Sequence, residues 1–146
     1  MAGFLIAIIS GALMSLQGVF NTNVTKASSV WVAAGFVQLT ALITCVVMWF
    51  FNGRPSVKGI MAVSNKLYLL GGVIGAFITL TVVLSVSSLG VAKAELIIVI
   101  TQAAVAYLIE IFGLFGSEKA DFSWAKLIAL AIAIGGVFMF YNVGKN

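Results

Sequence analysis

Five apolar stretches follow one another along this chain, and each is long enough to cross a lipid bilayer as a helix. About 20 helical residues span a hydrocarbon core of about 30 Å, because each residue adds about 1.5 Å. The stretches cover residues 3–22, 30–51, 67–88, 94–115 and 124–141. We therefore predict an all-α, five-transmembrane-helix bundle that forms a single transmembrane domain over residues 1–146.

The composition favours a lipid environment and argues against most soluble functions. Hydrophobic residues make up 62% of the chain and charged residues 8%, whereas about a quarter of a soluble domain is charged. Histidine is absent, Cys45 is the single cysteine, and the sequence contains no glycine-rich phosphate loop and no paired carboxylates. We predict that the protein is not an enzyme, needs no cofactor or metal, and has the bilayer rather than nucleic acid as its surroundings.

The breaks between the stretches bear on orientation. A cleavable signal usually has basic residues before its apolar segment, and no basic residue precedes the first apolar stretch here. We therefore expect that this stretch is a retained span. An odd number of spans places the two termini on opposite sides. The N-terminal side would carry Arg54, Lys58, Lys66, Lys119 and Lys126, and the other side Lys26, Lys93 and Lys145. Because positive charge in short loops favours the cytoplasmic side, this excess favours an N-terminus inside, while insertion in both orientations stays open.

Local signals predict how the helices begin and pack. Asp121 or Ser123 is expected to be the N-cap of the fifth helix, and Asn65 that of the third. Small residues recur every fourth position in three stretches: Gly3, Ala7, Gly11 and Ser15; Gly71, Gly75 and Thr79; Ala125, Ala129 and Ala133. Such stripes let helix backbones approach closely in lipid. They predict a packed bundle or a dimer and indicate no chemistry.

Polar residues inside the spans are costly, so they are expected to face the protein interior or a water-filled cavity. Gln17 and Asn21 are four residues apart and therefore share one face of the first helix. Thr40 and Thr44 in the second helix can bond carbonyl groups of their own helix and need no functional interpretation.

The fourth helix carries the most informative polar positions. Glu95, Gln102 and Glu110 fall on one broad face, because Gln102 lies about 20° from Glu95 and about 80° from Glu110. A carboxylate at the centre of a span costs about 2.5–3.5 kcal/mol. Glu110 is therefore expected either to hold a proton or to meet a partner, with assembly through a hydrogen bond as the structural alternative. Glu95 is expected in the first turn beside Lys93, as a solvated acid.

Several motifs together resemble the YdcZ-type branch of the drug/metabolite transporter superfamily, and the likeness spans the whole chain. They are Gly11-Ala-Leu-Met-Ser-Leu-Gln17-Gly-Val-Phe-Asn21, Leu70-Gly-Gly-Val-Ile-Gly75-Ala-Phe, Thr101-Gln102, Leu108-Ile-Glu110-Ile-Phe-Gly113-Leu-Phe-Gly116 and Gly135-Gly136. The chain differs from the family pattern in having Thr101 in place of a glycine, and charged residues at Lys93 and Glu95.

The resemblance implies half of an inverted-repeat, ten-helix transporter that works as an antiparallel dimer in the bacterial inner membrane. The partner would be an identical chain or a homologous five-helix chain. The family's polar positions fall on Gln17, Asn21, Gln102 and Glu110, which are then the expected substrate-binding residues. The predicted function is export of a small polar or cationic solute by alternating access. An accessory subunit without transport of its own, a channel-like pore and a lipid-carrier translocase are the alternatives.

Overall fold

The apolar stretches all fold as α-helices in the computed structural model, which describes residues 1–143. The helices are α1 (Ala2–Ala27), α2 (Val30–Phe51), α3 (Gly71–Leu89), α4 (Val91–Phe112) and α5 (Trp124–Asn142). A short 3-10 turn, Lys66–Leu70, leads into α3 and extends the third span to 24 residues. All five spans are long and apolar enough to cross a membrane, and residues 1–143 contain no strand. The predicted all-α class with five spans is therefore confirmed.

The first helix is longer than predicted. It continues past residue 22 to Ala27, so the predicted break at residues 23–29 shrinks to Ser28 and Ser29. Residues 23–27 contain neither glycine nor proline, and nothing in their backbone interrupts the helix. Ser29 then caps α2, because its hydroxyl accepts a hydrogen bond from the Val32 amide at 3.3 Å. The second helix has the limits predicted for it.

The fourth helix lies about three residues earlier in the chain than predicted. It begins at Val91, directly after Gly90, whose φ of +81° suits glycine. It ends at Phe112 rather than at residue 115, because Gly113 takes the left-handed conformation that ends many helices. Glu95 is therefore the fifth residue of α4 and lies beyond its first turn, so the prediction for Glu95 was wrong.

Two of the predicted N-caps are confirmed. The Ser123 hydroxyl accepts a hydrogen bond from the Lys126 amide at 3.4 Å and begins α5. The Asn65 side chain accepts one from the Leu67 amide at 3.0 Å and begins the 3-10 turn that leads into α3. In both cases a side-chain oxygen replaces the missing partner of a first-turn amide.

The chain divides into two compact units, of which the first is Met1–Ser88. In this unit α1 and α2 pack on each other, and Ala33 and Ala34 near the start of α2 are buried. The Trp31 and Phe77 rings meet edge to face at 6.4 Å, which is a side-chain contact between α2 and α3. A Cβ added at Gly75 would lie 3.1 Å from the side-chain amide nitrogen of Gln38. Gly75, which belongs to the small-residue stripe of α3, therefore lets the Gln38 side chain of α2 come close to the α3 backbone.

The second unit begins at Leu89 and contains α4 and α5. These two helices pack on each other as a helical hairpin. Large apolar side chains stay exposed on α5, among them Ile132 and Phe138 at 70% each. Such surfaces suit contact with lipid chains rather than with water.

Candidate functional site

The α4–α5 hairpin brings a carboxylate, an ammonium and an aromatic ring together at its closed end. Glu110 and Lys126, which are equally far in sequence from residue 118, lie across the hairpin from each other, and Ala103 and Ala133, also equally far from it, line the same cleft. The connecting segment, residues 113–123, therefore fixes which residues of the two helices meet.

Backbone hydrogen bonds hold this connecting segment against the end of α4. The Glu110 carbonyl accepts bonds from the Gly113 amide at 3.2 Å and from the Ala120 amide at 2.9 Å. The Ser117 hydroxyl donates to the Ile109 carbonyl at 3.2 Å. The last carbonyls of a helix have no partner within the helix, and here the returning loop supplies partners for two of them. Two loop amides, those of Gly113 and Ala120, therefore hold the backbone carbonyl of Glu110.

Tyr107 ties the start of α5 to α4. Its hydroxyl donates to the Ser123 carbonyl at 3.1 Å and accepts from the Ser123 amide at 2.8 Å. Because Ser123 is also the N-cap of α5, one tyrosine side chain positions the first turn of that helix. Lys126 lies in this turn.

Lys126 faces both Glu110 and the Tyr107 ring. Its Nζ atom lies 3.8 Å from Glu110 Oε2 and 5.3 Å from the centre of the Tyr107 ring. Lys126 and Glu110 are 56% and 50% exposed, so in water the ion pair would contribute at most about 1 kcal/mol. Glu110 lies near the C-terminal end of α4, and Lys126 lies near the N-terminal end of α5. Each charge interacts unfavourably with the dipole of its own helix and favourably with the dipole of the neighbouring helix. The helix dipoles therefore do not by themselves explain the pair.

A cleft of about 390 Å³ opens beside this pair between the two helices. Its lining residues are Ala103, Ala106, Tyr107, Glu110, Lys126, Ala129, Leu130 and Ala133. Four of them are alanines, and two of these belong to the small-residue stripe predicted for the fifth helix. The small side chains leave an open groove between the helices, in which all four alanines are exposed, and the charged groups and the ring lie at one end of it.

The structure places one of the four sequence-predicted site residues in this cleft, namely Glu110. Gln102 is exposed on α4 and does not line the cleft, because the mean direction of the cleft-lining residues of α4 lies about 90° around the helix from it. On α1, Gln17 is exposed, whereas Asn21 is buried at 7% exposure. The substrate-binding roles of these residues stay predictions.

Sequence reasoning missed the two residues that accompany Glu110. Lys126 counted only as a charge that bears on orientation, and Tyr107 was not singled out. Helical periodicity shows which residues of one helix share a face, but it cannot show which residues of two helices meet. Glu110 and Lys126 are each eight residues from residue 118, and this equal spacing could have indicated their proximity. The inference first requires the assumption that the fourth and fifth helices form a hairpin.

The donor groups at the site suit a cation held by charge and by an aromatic face rather than a coordinated metal ion. Within residues 1–143 no group of three or more His, Cys, Asp or Glu side chains could hold a metal ion. Glu110 has an ammonium and a ring beside it instead of a second acid. Carboxylates and aromatic faces are the groups that proteins use for organic ammonium ions.

Comparison with known protein families gives one match that covers nearly the whole chain. Residues 2–139 match the model of the family described as "Putative inner membrane exporter, YdcZ". No curated protein and no solved structure matches the chain. The predicted family resemblance is confirmed, and together with the five apolar helices it supports a membrane transporter. The chain belongs to the YdcZ family of inner membrane exporters and is a multi-pass inner membrane protein.

Proposed function

We propose that this chain exports a small polar or cationic solute by alternating access, as one half of an antiparallel pair of five-helix chains. The observation that carries this proposal is the position of Glu110. Its carboxylate opens onto a cleft of about 390 Å³ within a membrane-spanning hairpin that is otherwise mostly apolar. Ionisable residues in membrane spans generally mark the path of a substrate or an ion.

Three features support the pairing. Five spans place the termini on opposite sides, so a second chain in the opposite orientation would supply the inverted repeat on which alternating access depends. A Cβ added at Gly3 or Gly11 of α1 would meet no atom within 4 Å, so this stripe has space for a partner helix. The small excess of positive charge on one side also permits insertion in both orientations.

Transport in proteoliposomes tests the role of Glu110. We expect Glu110→Gln to weaken uptake of a cationic solute, because a neutral amide attracts the cation less than a carboxylate does. The KM should rise more than about tenfold, since hydrogen bonds to charged groups contribute about 1.5–3 kcal/mol. Glu118→Gln, in the connecting segment outside the spans, is the matched control and should behave as wild type. An unchanged KM in Glu110→Gln would leave Glu110 a structural role only.

Cysteine labelling from each side of the membrane tests the pairing. In a Cys45→Ser background, Asn52→Cys and Ser28→Cys lie in loops on opposite sides of the second span. Labelling of each position from both sides would indicate one chain in both orientations and a homodimer. Labelling from one side would indicate a homologous companion chain. Full transport by a preparation that cross-linking shows to be monomeric would contradict the pairing.

A lipid-carrier translocase is the second candidate, because α4 and α5 also border an apolar, open cleft. This cleft has a volume of about 270 Å³ and is lined by Ile97, Ile100, Thr101, Ile134, Val137, Phe138 and Tyr141. An acyl or isoprenoid chain suits such a lining better than a polar solute does. Flipping of a labelled lipid in vesicles that show no solute uptake would favour this candidate. Neither activity in a purified sample would favour an accessory subunit.

A further inference from the structure

We propose that Glu110 and the face of the Tyr107 ring form a binding site for the ammonium group of an organic cation, and that Lys126 occupies this site when no substrate is bound. The inference rests on the proposed transport function and names its substrate class. Lys126 is then a built-in competitor, which the substrate displaces from the carboxylate.

The first argument comes from the position of the Lys126 ammonium. It lies 3.8 Å from Glu110 Oε2 and 5.3 Å from the centre of the Tyr107 ring. A carboxylate and an aromatic face within these distances are the two groups that attract an organic ammonium ion. The chain's own lysine therefore shows that a cationic nitrogen fits at this position.

The second argument comes from the space beside it. The cleft of about 390 Å³ continues from Glu110 along the alanine faces of both helices. A bound cation could place its charged end at Glu110 and its apolar part against Ala103 and Ala133, which line the same cleft. An inorganic cation would leave the alanine-lined part empty, so the shape favours an organic cation with an apolar substituent.

The third argument comes from the freedom of Lys126 to move. Its side chain is 56% exposed and reaches Glu110 from the first turn of α5. The Tyr107 hydroxyl forms its hydrogen bonds with the Ser123 backbone and not with the Lys126 ammonium. The ring is thus fixed by its hydroxyl, while the lysine ammonium can leave and return without disturbing the N-cap of α5.

Equilibrium dialysis of the purified full-length protein tests the site directly. The probe is benzyltrimethylammonium, and neopentylbenzene, in which carbon replaces the charged nitrogen, is its neutral counterpart. We expect the protein to bind the cation and to show no saturable binding of the neutral probe at the same concentrations. Equal binding of both probes would overturn the proposal.

Substitutions at Lys126 separate a competitor from a binding group. Lys126→Met keeps the length of the side chain and removes its charge, so the cation should bind about twofold to fivefold more tightly. Lys126→Arg keeps the charge and should bind as wild type does. Unchanged or weaker binding in a Lys126→Met protein that elutes as wild type in size-exclusion chromatography would overturn the competitor role.

Substitutions at Tyr107 separate the ring from the hydroxyl. Tyr107→Leu should weaken cation binding by about twofold to fivefold, because it removes the aromatic face. Tyr107→Phe keeps the face and should lose less affinity than Tyr107→Leu does, although it loses both bonds to Ser123. Equal losses in the two variants would show that Tyr107 acts only through structure and would overturn its place in the site.

Transport distinguishes failure of this site from failure of the proposed function. If cation binding requires Glu110 but the protein moves no solute in proteoliposomes, the site stands and the transport proposal is overturned. Transport of an anionic or uncharged solute that proceeds unchanged in Glu110→Gln would keep transport and overturn the site.

Discussion

Polar side chains bond mainly within single helices in the first unit of this chain, whereas the second unit combines such bonds, as from the Thr101 hydroxyl to the Ile97 carbonyl at 2.8 Å, with contacts between helices. In the first unit, threonine hydroxyls turn back onto their own helix: Thr22 donates to the Gly18 carbonyl at 2.8 Å, and Thr44 to the Thr40 carbonyl at 2.9 Å. In the second unit, the Tyr107 hydroxyl and the Glu110 carboxylate reach across to the segment and helix that follow. Bonds within one helix fix nothing about its neighbours, whereas bonds between helices fix a register.

This difference separates general membrane structure from the candidate site. Hydroxyls that bond their own helix let polar residues enter lipid at low cost without specifying a partner. The hairpin of the second unit instead positions a carboxylate, an ammonium and a ring at one end of a cleft. Substitutions that remove contacts between helices should therefore cost more stability than those that remove contacts within one helix.

Loss of the Tyr107 hydroxyl should have the largest effect on stability. Tyr107→Phe removes two hydrogen bonds to Ser123, which together contribute about 1–3 kcal/mol. We expect the free energy of unfolding, measured by titration with sodium dodecyl sulfate, to fall by that amount. Tyr68→Phe is the matched control, because the Tyr68 side chain is half exposed before α3, and it should change little. Equal effects of the two variants would contradict the bracing role of Tyr107.

Loss of Gly113 should have a somewhat smaller effect. Gly113→Ala places a Cβ at a φ of +61°, which costs about 1–2 kcal/mol, and that atom would lie 3.4 Å from Lys119 Cβ. We expect a lower melting temperature, followed by intrinsic tryptophan fluorescence. Gly136→Ala in α5, where a Cβ would meet no atom within 4 Å, should leave the temperature unchanged or raise it. A Gly113→Ala protein as stable as wild type would show that the end of α4 does not require glycine.

Loss of a hydroxyl that bonds its own helix should have the smallest effect. Thr44→Val removes the bond to the Thr40 carbonyl while keeping the shape of the side chain, and its outer face is exposed. We expect the free energy of unfolding to change by less than about 0.5 kcal/mol. A loss as large as that of Tyr107→Phe would remove the distinction between the two units.

The sequence predicted the helices well where apolar length and polar caps decide them. The limits of α2 and the caps at Ser123 and Asn65 follow from local chemistry. One error arose where no local signal acts: residues 23–27 include the polar Asn23, Thr25 and Lys26 but no helix breaker, so α1 continues through them. At the end of α4, the left-handed turn at Gly113 outweighs the apolar residues that follow it.

The candidate site was predicted only in part. Glu110 stood out because a carboxylate in an apolar span is costly. Its neighbours Lys126 and Tyr107 did not, because their proximity depends on the length and path of residues 113–123, which periodicity does not encode. The antiparallel partner, the N-terminus inside and the single domain over residues 1–146 stay predictions, as do the roles of Gln17, Asn21 and Gln102.

The most direct test asks whether the cleft beside Glu110 is filled with water inside the membrane. In a Cys45→Ser background, Ala103→Cys lies in the cleft seven residues from Glu110, while Val105→Cys lies at nearly the same depth outside it, where Val105 is 48% exposed. Their rates of reaction with a charged, membrane-impermeant thiol reagent are compared in proteoliposomes. We predict that Ala103→Cys reacts and that Val105→Cys does not. Equal protection of both positions would contradict a wet cleft at Glu110.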